Sequence, residues 1–449
     1  MIELIERAAG LDDDRPAITD DRSFGYPELL AAARAAAAGL RARGITRFGI
    51  VDEDAINVVA LLAGASLIGA ETCVYPPIEA ADDVAAFARR FDHDVLVSAR
   101  TDLDGLAVLE PDDLLKGEPD ESVAPPEGRP LLVFTTGTTG HPRAARQDWN
   151  RVLRPFRPLR PAPRERWLLA YGLHQFGGLQ ILLHVLGAGA TIVAPLPRRP
   201  REGLAAMRRH GVDHASGTPT YWRFLLAELR SDGGPVPALR QVTLGGEAVP
   251  SKLLADLQAT FPHARVSQIY GANESGNLRS IRDGRNGLPL SVLDAGDAAD
   301  VALKIVDGEL WVRSRIGMLG YYGEPPIDAD AWRPTGDLVE VVGDRILFRG
   351  RKSEIINVGG VKVHPLPIEE RVSRLDGVEF ARAYGWPNPV TGAIVAVEIV
   401  PAPGTDRDAL RAAARAACAD LPDAARPRSV RFADTVATTG NKMNRGSHG

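Results

Sequence analysis

Short apolar runs alternate with helical patterns over the first half of the chain. Runs typical of strands span 48–51, 95–98, 131–134, 167–169, 190–195 and 241–244. The apolar stretch 58–70 is uncharged but too short for the roughly 20 residues of a membrane span, and it predicts a buried helix. Strands separated by helices predict an α/β fold with stacked, mainly parallel sheets.

The pattern changes in the last third of the chain. Short strands at 302–306, 309–312 and 345–348, with turns at Asp307-Gly308 and Gly343-Asp344, predict a small β subdomain. A compact α+β pattern follows from Glu354: a turn at Gly359-Gly360, a helix from Pro367, strands near Ala381 and Ile394, a helix from Asp408 and a strand near Val430. We therefore expect a large N-terminal domain, residues 1–352, and a small mobile C-terminal domain, residues 353–449.

Composition narrows the class of protein. The 449 residues are 45% hydrophobic and 25% charged, with a net charge of −5, which is ordinary for a globular protein and favours neither nucleic acid nor insertion into a membrane. Cys73 and Cys418 lie far apart without CxxC neighbours, so we expect two buried thiols rather than a disulfide or a zinc site. Glu3 and Glu6 stand where a signal peptide would be positive, which predicts a cytoplasmic enzyme with a small-molecule substrate.

The sharpest local motif is a threonine- and glycine-rich turn directly after the run 131–134. Its glycines let backbone amides turn inward, its hydroxyls add donors, and Arg143 adds a fixed charge, which together predict a phosphate-binding loop. The Gly-Lys-Ser/Thr ending of a Walker loop is missing. The loop residues are Thr135, Thr136, Gly137, Thr138, Thr139 and Gly140.

Five further segments follow the loop in order: Gly-Gly-Glu-Ala at 245–248, Tyr-Gly-Ala-Asn-Glu at 270–274, Thr-Gly-Asp at 335–337, the glycine-containing stretch 350–363, and Gly-Asn-Lys at 440–442. Together the six motifs resemble those of the adenylate-forming superfamily, which contains acyl-CoA and aryl-CoA ligases, luciferases and carrier-loading adenylation domains. The resemblance covers almost the whole chain. It implies that a carboxylic acid and Mg²⁺-ATP form an acyl-adenylate, which then acylates CoA or the phosphopantetheine of a carrier protein.

The resemblance also implies roles for individual residues. Lys442 would bridge the acyl carboxylate and the α-phosphate, Glu274 would hold Mg²⁺, and Arg143 would add catalytic charge beside the loop. Asp337 would accept hydrogen bonds from the ribose, and the ring of Tyr270 would stack on adenine. The other residues implied in nucleotide binding, besides the phosphate loop, are Gly246, Glu247, Ala248, Gly271, Asn273 and Arg351.

The acyl and thiol sites are implied in the same way. Gly245, His174 and Phe176 fall where the family places its acyl pocket, and we expect His174 to be a gate or core residue rather than a base. Ser353 falls at the hinge, and Gly359 and Gly360 at the turn that lines the thiol channel.

Several positions depart from the family's usual pattern. Arg143 replaces a lysine, exchanging a mobile ammonium for a planar fork. Asn273 replaces a threonine, although its amide could still donate to a phosphate. Ser353 replaces an Asp or Lys at the hinge, and Asn441 separates the glycine and lysine of the last motif.

The sequence says less about which acid and which acceptor the protein uses. The segment 171–178 lacks the aspartate that amino-acid-activating relatives use to hold an ammonium, and an aryl or short acid is favoured. Three arginines that each precede a proline, Arg154, Arg157 and Arg160, favour an extended run with the charges along one edge. That edge is either a solvated loop or a cationic platform for a phosphate-bearing thiol cofactor or an acidic carrier protein. An amide-forming synthetase with an amine acceptor, and a non-catalytic nucleotide- or acyl-binding regulator, remain alternatives.

Overall fold

The computed structural model describes residues 1–11, 14–78, 80–103, 105–135, 143–157, 159–194, 196, 199–296, 298–435, 438–439 and 442–443. Among these residues the α-helices are α1 (Ile2–Ala9), α2 (Tyr26–Ala42), α3 (Ala55–Ile68), α4 (Ala81–Arg90), α5 (Asp112–Leu115), α6 (Trp149–Leu153), α7 (Phe176–Ala188), α8 (Pro200–His210), α9 (Pro219–Asp232), α10 (Ser251–Thr260), α11 (Pro365–Ser373) and α12 (Arg407–Ala417).

The strands in the same part of the chain are β1 (Pro16–Thr19), β2 (Ser23–Gly25), β3 (Arg47–Ile50), β4 (Glu71–Val74), β5 (Val95–Val97), β6 (Ala107–Leu109), β7 (Pro130–Thr135), β8 (Arg143–Asp148), β9 (Arg166–Leu169), β10 (Thr191–Val193), β11 (His214–Gly217), β12 (Gln241–Gly245), β13 (Arg265–Ala272), β14 (Gly276–Ile281), β15 (Leu288–Pro289), β16 (Val301–Val306), β17 (Glu309–Ser314), β18 (Gly320–Tyr321), β19 (Arg333–Val342), β20 (Arg345–Arg351), β21 (Ile356–Val358), β22 (Val361–Val363), β23 (Val378–Asn388), β24 (Gly392–Pro401), β25 (Ser429–Phe432), β26 (Thr438–Thr439) and β27 (Lys442–Met443).

Two large sheets form the N-terminal part. In the described residues, one has the order β14-β13-β12-β11-β9-β10-β1-β2 and the other β18-β8-β7-β4-β3-β5-β6. The inner neighbours in each sheet pair in parallel, whereas β13–β14, β1–β2, β7–β8 and β8–β18 pair antiparallel. The expected α/β fold with stacked, mainly parallel sheets is confirmed.

Helices α1, α2, α3 and α7 share one core with strands of both sheets and therefore lie between them. The outer faces are covered by α8, α9 and α10 on one side and by α4 on the other. Because α3 is enclosed, it is apolar on nearly every side. It is the helix expected at 58–70, and it begins earlier because the Asp54 carboxylate caps it by accepting from the N–H groups of Ile56 and Asn57.

The last third of the chain follows its predicted pattern. An antiparallel sheet, β15-β20-β19-β17-β16, forms the small β subdomain with its own core. Beyond it, β21 and β22 form a hairpin through Gly359-Gly360, and the sheet β23-β24-β25 packs with α11 and α12. The domain boundary at 352/353 stays a prediction.

Two further expectations concern burial and membranes. Cys73 and Cys418 are both buried free thiols, as expected. Within the described ranges, none of the helices has the length and apolar character needed to cross a membrane.

The structure corrects one prediction, the extended run that holds Arg154, Arg157 and Arg160. Residues 154–156 form a 3-10 helix that directly follows α6, so the extended run expected there is wrong. Pro155 is tolerated because the first turn of a helix needs no N–H donor at that position. Arg154 pairs with Asp300 at 3.0 Å, and Arg157 donates to the Asn150 side chain at 3.2 Å. At least two of the three arginines are thus engaged within the chain.

Candidate active site

The carboxyl ends of the parallel strands meet at one edge of the molecule, where α/β folds bind their ligands. In the eight-stranded sheet, β9, β11, β12 and β13 end side by side. The Tyr171 hydroxyl, just beyond β9, donates to the Gly245 carbonyl at the end of β12 at 3.3 Å. This contact joins the segment predicted for the acyl pocket to the one predicted for adenine.

The loop predicted to bind phosphate follows β7 and precedes β8, which pair antiparallel. Thr135 and Arg143 are paired across the ladder, and the Thr135 hydroxyl donates to the Arg143 carbonyl at 3.3 Å, so the two ends of the loop are held together. The predicted loop residues Thr136, Gly137, Thr138, Thr139 and Gly140 lie outside the described residues.

Arg143 and Glu274 are brought together through an aromatic ring. The Arg143 guanidinium lies 3.4 Å from the centre of the Tyr321 ring and forms an ion pair with Glu324. The Tyr321 hydroxyl donates to the Glu274 carboxylate. The cation of the loop and the carboxylate predicted for Mg²⁺ therefore flank one tyrosine, an arrangement that the planar guanidinium of arginine suits better than an ammonium.

Asn273 makes side-chain hydrogen bonds within the protein. Its side chain is buried, and its amide nitrogen donates to the Val133 carbonyl at 3.1 Å. Its amide oxygen accepts from the Gln147 side chain at 2.8 Å. The amide therefore links the end of β13 to β7 and β8, and its contact with a phosphate stays a prediction.

Asp337, predicted to bind ribose, lies between Tyr270 and Arg351. It accepts from the Tyr270 hydroxyl at 2.8 Å and pairs with Arg351 at 3.2 Å, its ladder partner on β20. Burial raises the pKa of Asp337, and the Arg351 charge opposes that rise. The Tyr270 ring packs against Phe348 at 5.1 Å, while Gly271 lies at a bulge between β13 and β14. Stacking of Tyr270 on adenine stays a prediction.

The turn before Asp337 is connected, through Glu309, to the segment expected to contain the hinge. The Thr335 hydroxyl donates to the Leu310 carbonyl at 2.8 Å, and the Gly336 N–H donates to the Glu309 carboxylate at 3.1 Å. The same carboxylate pairs with Lys352 at 3.2 Å. Ser353 follows within the short 3-10 helix Lys352–Glu354, so an ion pair stands one residue before the expected hinge.

The turn after β12 holds the predicted adenine segment, residues 245–248. Gly246 has a φ of 85°, which glycine adopts without strain. The Glu247 carboxylate accepts from the backbone N–H and the hydroxyl of Thr220, both at 3.0 Å. It also accepts from the backbone N–H of Met443 at 2.8 Å. The adenine role of Gly246, Glu247 and Ala248 stays a prediction, but the carboxylate of Glu247 is used to join α9 and β27.

The acyl segment lies beside this turn. The His174 ring covers Gly172 so closely that a Cβ at position 172 would collide with it. Burial lowers the pKa of His174 to about 4, so the ring is neutral near pH 7, as a gate or pocket wall requires. Phe176 begins α7, and the buried Tyr171 ring lies against the next residue, Gly177.

Two motifs of the C-terminal part are predicted to act at the site, the Gly-Asn-Lys segment at 440–442 and the Gly359-Gly360 turn. The backbone N–H of Met443 in β27 donates to Glu247, so the neighbouring residue 442 also lies near Glu247. The role predicted for the Lys442 side chain lies outside what the structure describes. At Gly360, with a φ of 89°, an added Cβ would meet no described atom within 4 Å. The strand that contains Lys442 therefore lies at the turn after β12.

Several residues at this edge were not found from the sequence. Tyr321, Glu324, Gln147, Thr220 and Glu309 all contact predicted site residues. The adjacent aromatic pair at 321 and 322 was a weak signal, because aromatic pairs are usually core residues. The others carried no local signal, since their contacts depend on strand pairing and helix placement.

Comparison with known proteins agrees with this architecture. A family model described as "AMP-binding enzyme" matches residues 5–322, and one described as "AMP-binding enzyme C-terminal domain" matches residues 367–442. A medium/long-chain fatty acid acyl-carrier-protein ligase, FadD10 of Mycobacterium tuberculosis, is 26% identical over 435 residues, covering 88% of this chain and 76% of that protein.

Two more similarities bear on the fold. A 7a-methyl-1,5-dioxo-octahydro-1H-inden-4-yl propanoyl:CoA ligase of Mycobacterium tuberculosis is 29% identical over 329 residues, which are 70% of this chain and 64% of that relative. This chain thus spans just under two thirds of that relative's length. The crystal structure of the anthranilate CoA ligase AuaEII with anthranoyl-AMP superposes with a TM-score of 0.85 at 19% identity, covering 99% of this chain and 95% of that one.

Proposed function

Because the chain belongs to the family of AMP-binding enzymes, we propose that it is a ligase that activates a carboxylic acid with ATP and passes the acyl group to a thiol of CoA or of a carrier protein. One observation carries the proposal. Arg143, Glu274 and Asp337 lie at one edge of the sheets, and the strand that contains Lys442 docks at the same edge on Glu247.

In the first half-reaction, a carboxylate oxygen attacks the α-phosphorus of ATP and the bond to pyrophosphate breaks. Two anions approach each other, so the site must supply cations, and we assign that role to Arg143 and Lys442. Mg²⁺ would neutralise phosphate charge, and the hard oxygens of the half-buried Glu274 fit it at the end of β13. Asp337, already oriented by Tyr270 and Arg351, would accept from the ribose hydroxyls.

In the second half-reaction, the thiol sulfur attacks the acyl carbon, the bond to AMP breaks, and the thiol proton leaves to solvent. The Gly359-Gly360 turn would line the path of the thiol after the C-terminal domain rotates about Ser353. The open surroundings of Gly360 in this structure agree with a turn that acts in a second orientation.

The acyl pocket favours an aryl or short acid. Tyr171 is buried, and its hydroxyl is held by the Gly245 carbonyl, so its ring occupies the space between the ends of β9 and β12. The buried, neutral His174 ring would form another wall of the pocket. Because protein interiors are close-packed, a long chain could enter only if these rings moved.

The test is pyrophosphate release across aryl, short-chain, long-chain and amino acids, each with CoA, with a phosphopantetheinylated carrier protein, or with an amine. We expect release with aryl or short acids and a thioester with one of the thiols. Amide formation without a thiol would favour the amide-synthetase alternative. If no acid raises pyrophosphate release above that of a Lys442→Ala control, the proposal fails.

A further inference from the structure

One carboxylate connects three separate segments of the chain. Glu247, in the turn after β12, accepts from Thr220 at the first turn of α9 and from the backbone N–H of Met443 in β27. The contact to Met443 joins residues 196 positions apart. Because this hydrogen bond is made to the backbone of the residue directly after Lys442, it constrains the position of β27 independently of the side chain at position 443.

A second contact lies further along the same helix. The Phe224 ring stacks on the Phe380 ring with centroids 5.8 Å apart and planes inclined by 18°, and the Arg223 guanidinium lies 4.5 Å from the centre of Phe380. Met443 packs into the same small cluster together with Val400. We call Phe224, Phe380, Val400 and Met443 the aromatic seat.

The Glu247 contact at Thr220 and the aromatic seat at Phe224 lie on one face of α9. Thr220 and Phe224 are four positions apart and therefore lie on the same side of the helix, one turn from each other. Met443 is held at its backbone by the carboxylate beside Thr220 and at its side chain by the seat around Phe224. A backbone hydrogen bond and a side-chain contact on one residue fix both the position and the register of a two-residue strand.

We infer that Glu247 and Phe224 are positioning residues that hold the Lys442 strand in the orientation required for adenylation, an inference that rests on the proposed function. Glu247 is placed to receive the strand because the N-terminal turn of α9 holds its carboxylate through two donors. Rotation toward the thiol-transfer orientation must break the Met443 contact and separate Phe224 from Phe380. The two half-reactions therefore depend differently on these residues.

The experiment measures the half-reactions separately. Acyl-adenylate formation is followed in a single turnover, and thioester formation is followed from preformed acyl-adenylate and thiol. Glu247→Ala and Phe224→Ala should each slow adenylation tenfold or more relative to thiol transfer, while Phe224→Leu should recover most of the rate because it keeps an apolar contact. Asp232→Ala is the matched control, since Asp232 ends the same helix two turns beyond Phe224 and pairs with Arg208 of α8.

A second readout does not require activity. Hydrogen exchange of the Met443 amide should be slow in the parent protein and at least tenfold faster in Glu247→Ala. Equal loss of both half-reactions in the Glu247 and Phe224 variants, or unchanged adenylation in both, would overturn the inference while leaving the proposed function intact. If the parent protein forms no acyl-adenylate, the proposed function fails, and unchanged exchange at Met443 would separately contradict the contact.

Discussion

Replacing Asp337 tests the nucleotide site most directly. Its carboxylate accepts from the Tyr270 hydroxyl at 2.8 Å and faces Arg351 at 3.2 Å, which leaves acceptor capacity on both oxygens for ribose hydroxyls. Hydrogen bonds to a charged acceptor contribute about 1.5–3 kcal/mol each, but two that share one carboxylate are not additive, so losing both should cost roughly 2–4 kcal/mol in total. At about 1.4 kcal/mol per tenfold change, ATP affinity should fall roughly 30- to 1,000-fold in Asp337→Ala.

Calorimetric titration with ATP measures this loss, and 2′-deoxy-ATP and 3′-deoxy-ATP identify its origin. The parent protein should bind both deoxynucleotides more weakly than ATP, and Asp337→Ala should bind all three alike. Glu340→Gln is the control, because Glu340 lies on the same strand but pairs with Arg349 at the surface. Affinity of the parent level in a folded Asp337→Ala protein, or persistent discrimination against the deoxynucleotides, would remove Asp337 from the ribose site.

Three other predictions follow from the structure. Lys442→Ala should slow acyl-adenylate formation by about 100-fold or more and spare thioester formation from preformed acyl-adenylate; normal adenylation would refute its role. Gly360→Leu should keep pyrophosphate release and abolish thioester formation, so an equal loss of both would indicate a folding defect. Although burial opposes it, contact of His214 with Asp213 at 2.7 Å and Glu165 at 3.3 Å raises the pKa of its ring to about 9. This stabilisation is complete below about pH 6.5 and lost as pH rises through 9, so His214→Gln should cost up to about 3 kcal/mol in urea unfolding at pH 6 and little at pH 10; an equal cost at both would contradict the ion pairs.

Much of the fold could be predicted because its signals are local. The enclosed helix α3 was legible from an uninterrupted apolar run, and the hairpin of β16 and β17 from alternating strands around Asp307-Gly308. The order of the nucleotide motifs was equally legible. Loops at strand ends carry the chemistry, and their residue types are set by the ligand rather than by packing.

The arginine edge shows where local reasoning fails. Repeated prolines favour an extended chain, yet residues 154–156 form a short 3-10 helix, which Pro155 permits because it occupies a first-turn position. Which conformation wins depends on what the segment packs against. Arg154 meets Asp300, a residue almost 150 positions away, and no local pattern encodes that encounter.

The sequence by itself determined the six ordered motifs that indicate the family, the α/β class, and the residue types predicted to bind phosphate, ribose and metal. Only the tertiary structure decided how those residues are held. Tyr321 lies between Arg143 and Glu274 because β18 pairs with β8, and Glu247 meets Met443 because α9 carries the aromatic seat. Such contacts join residues remote in the chain, and their free energy comes from burial and hydrogen bonding that exist only once the domains have packed.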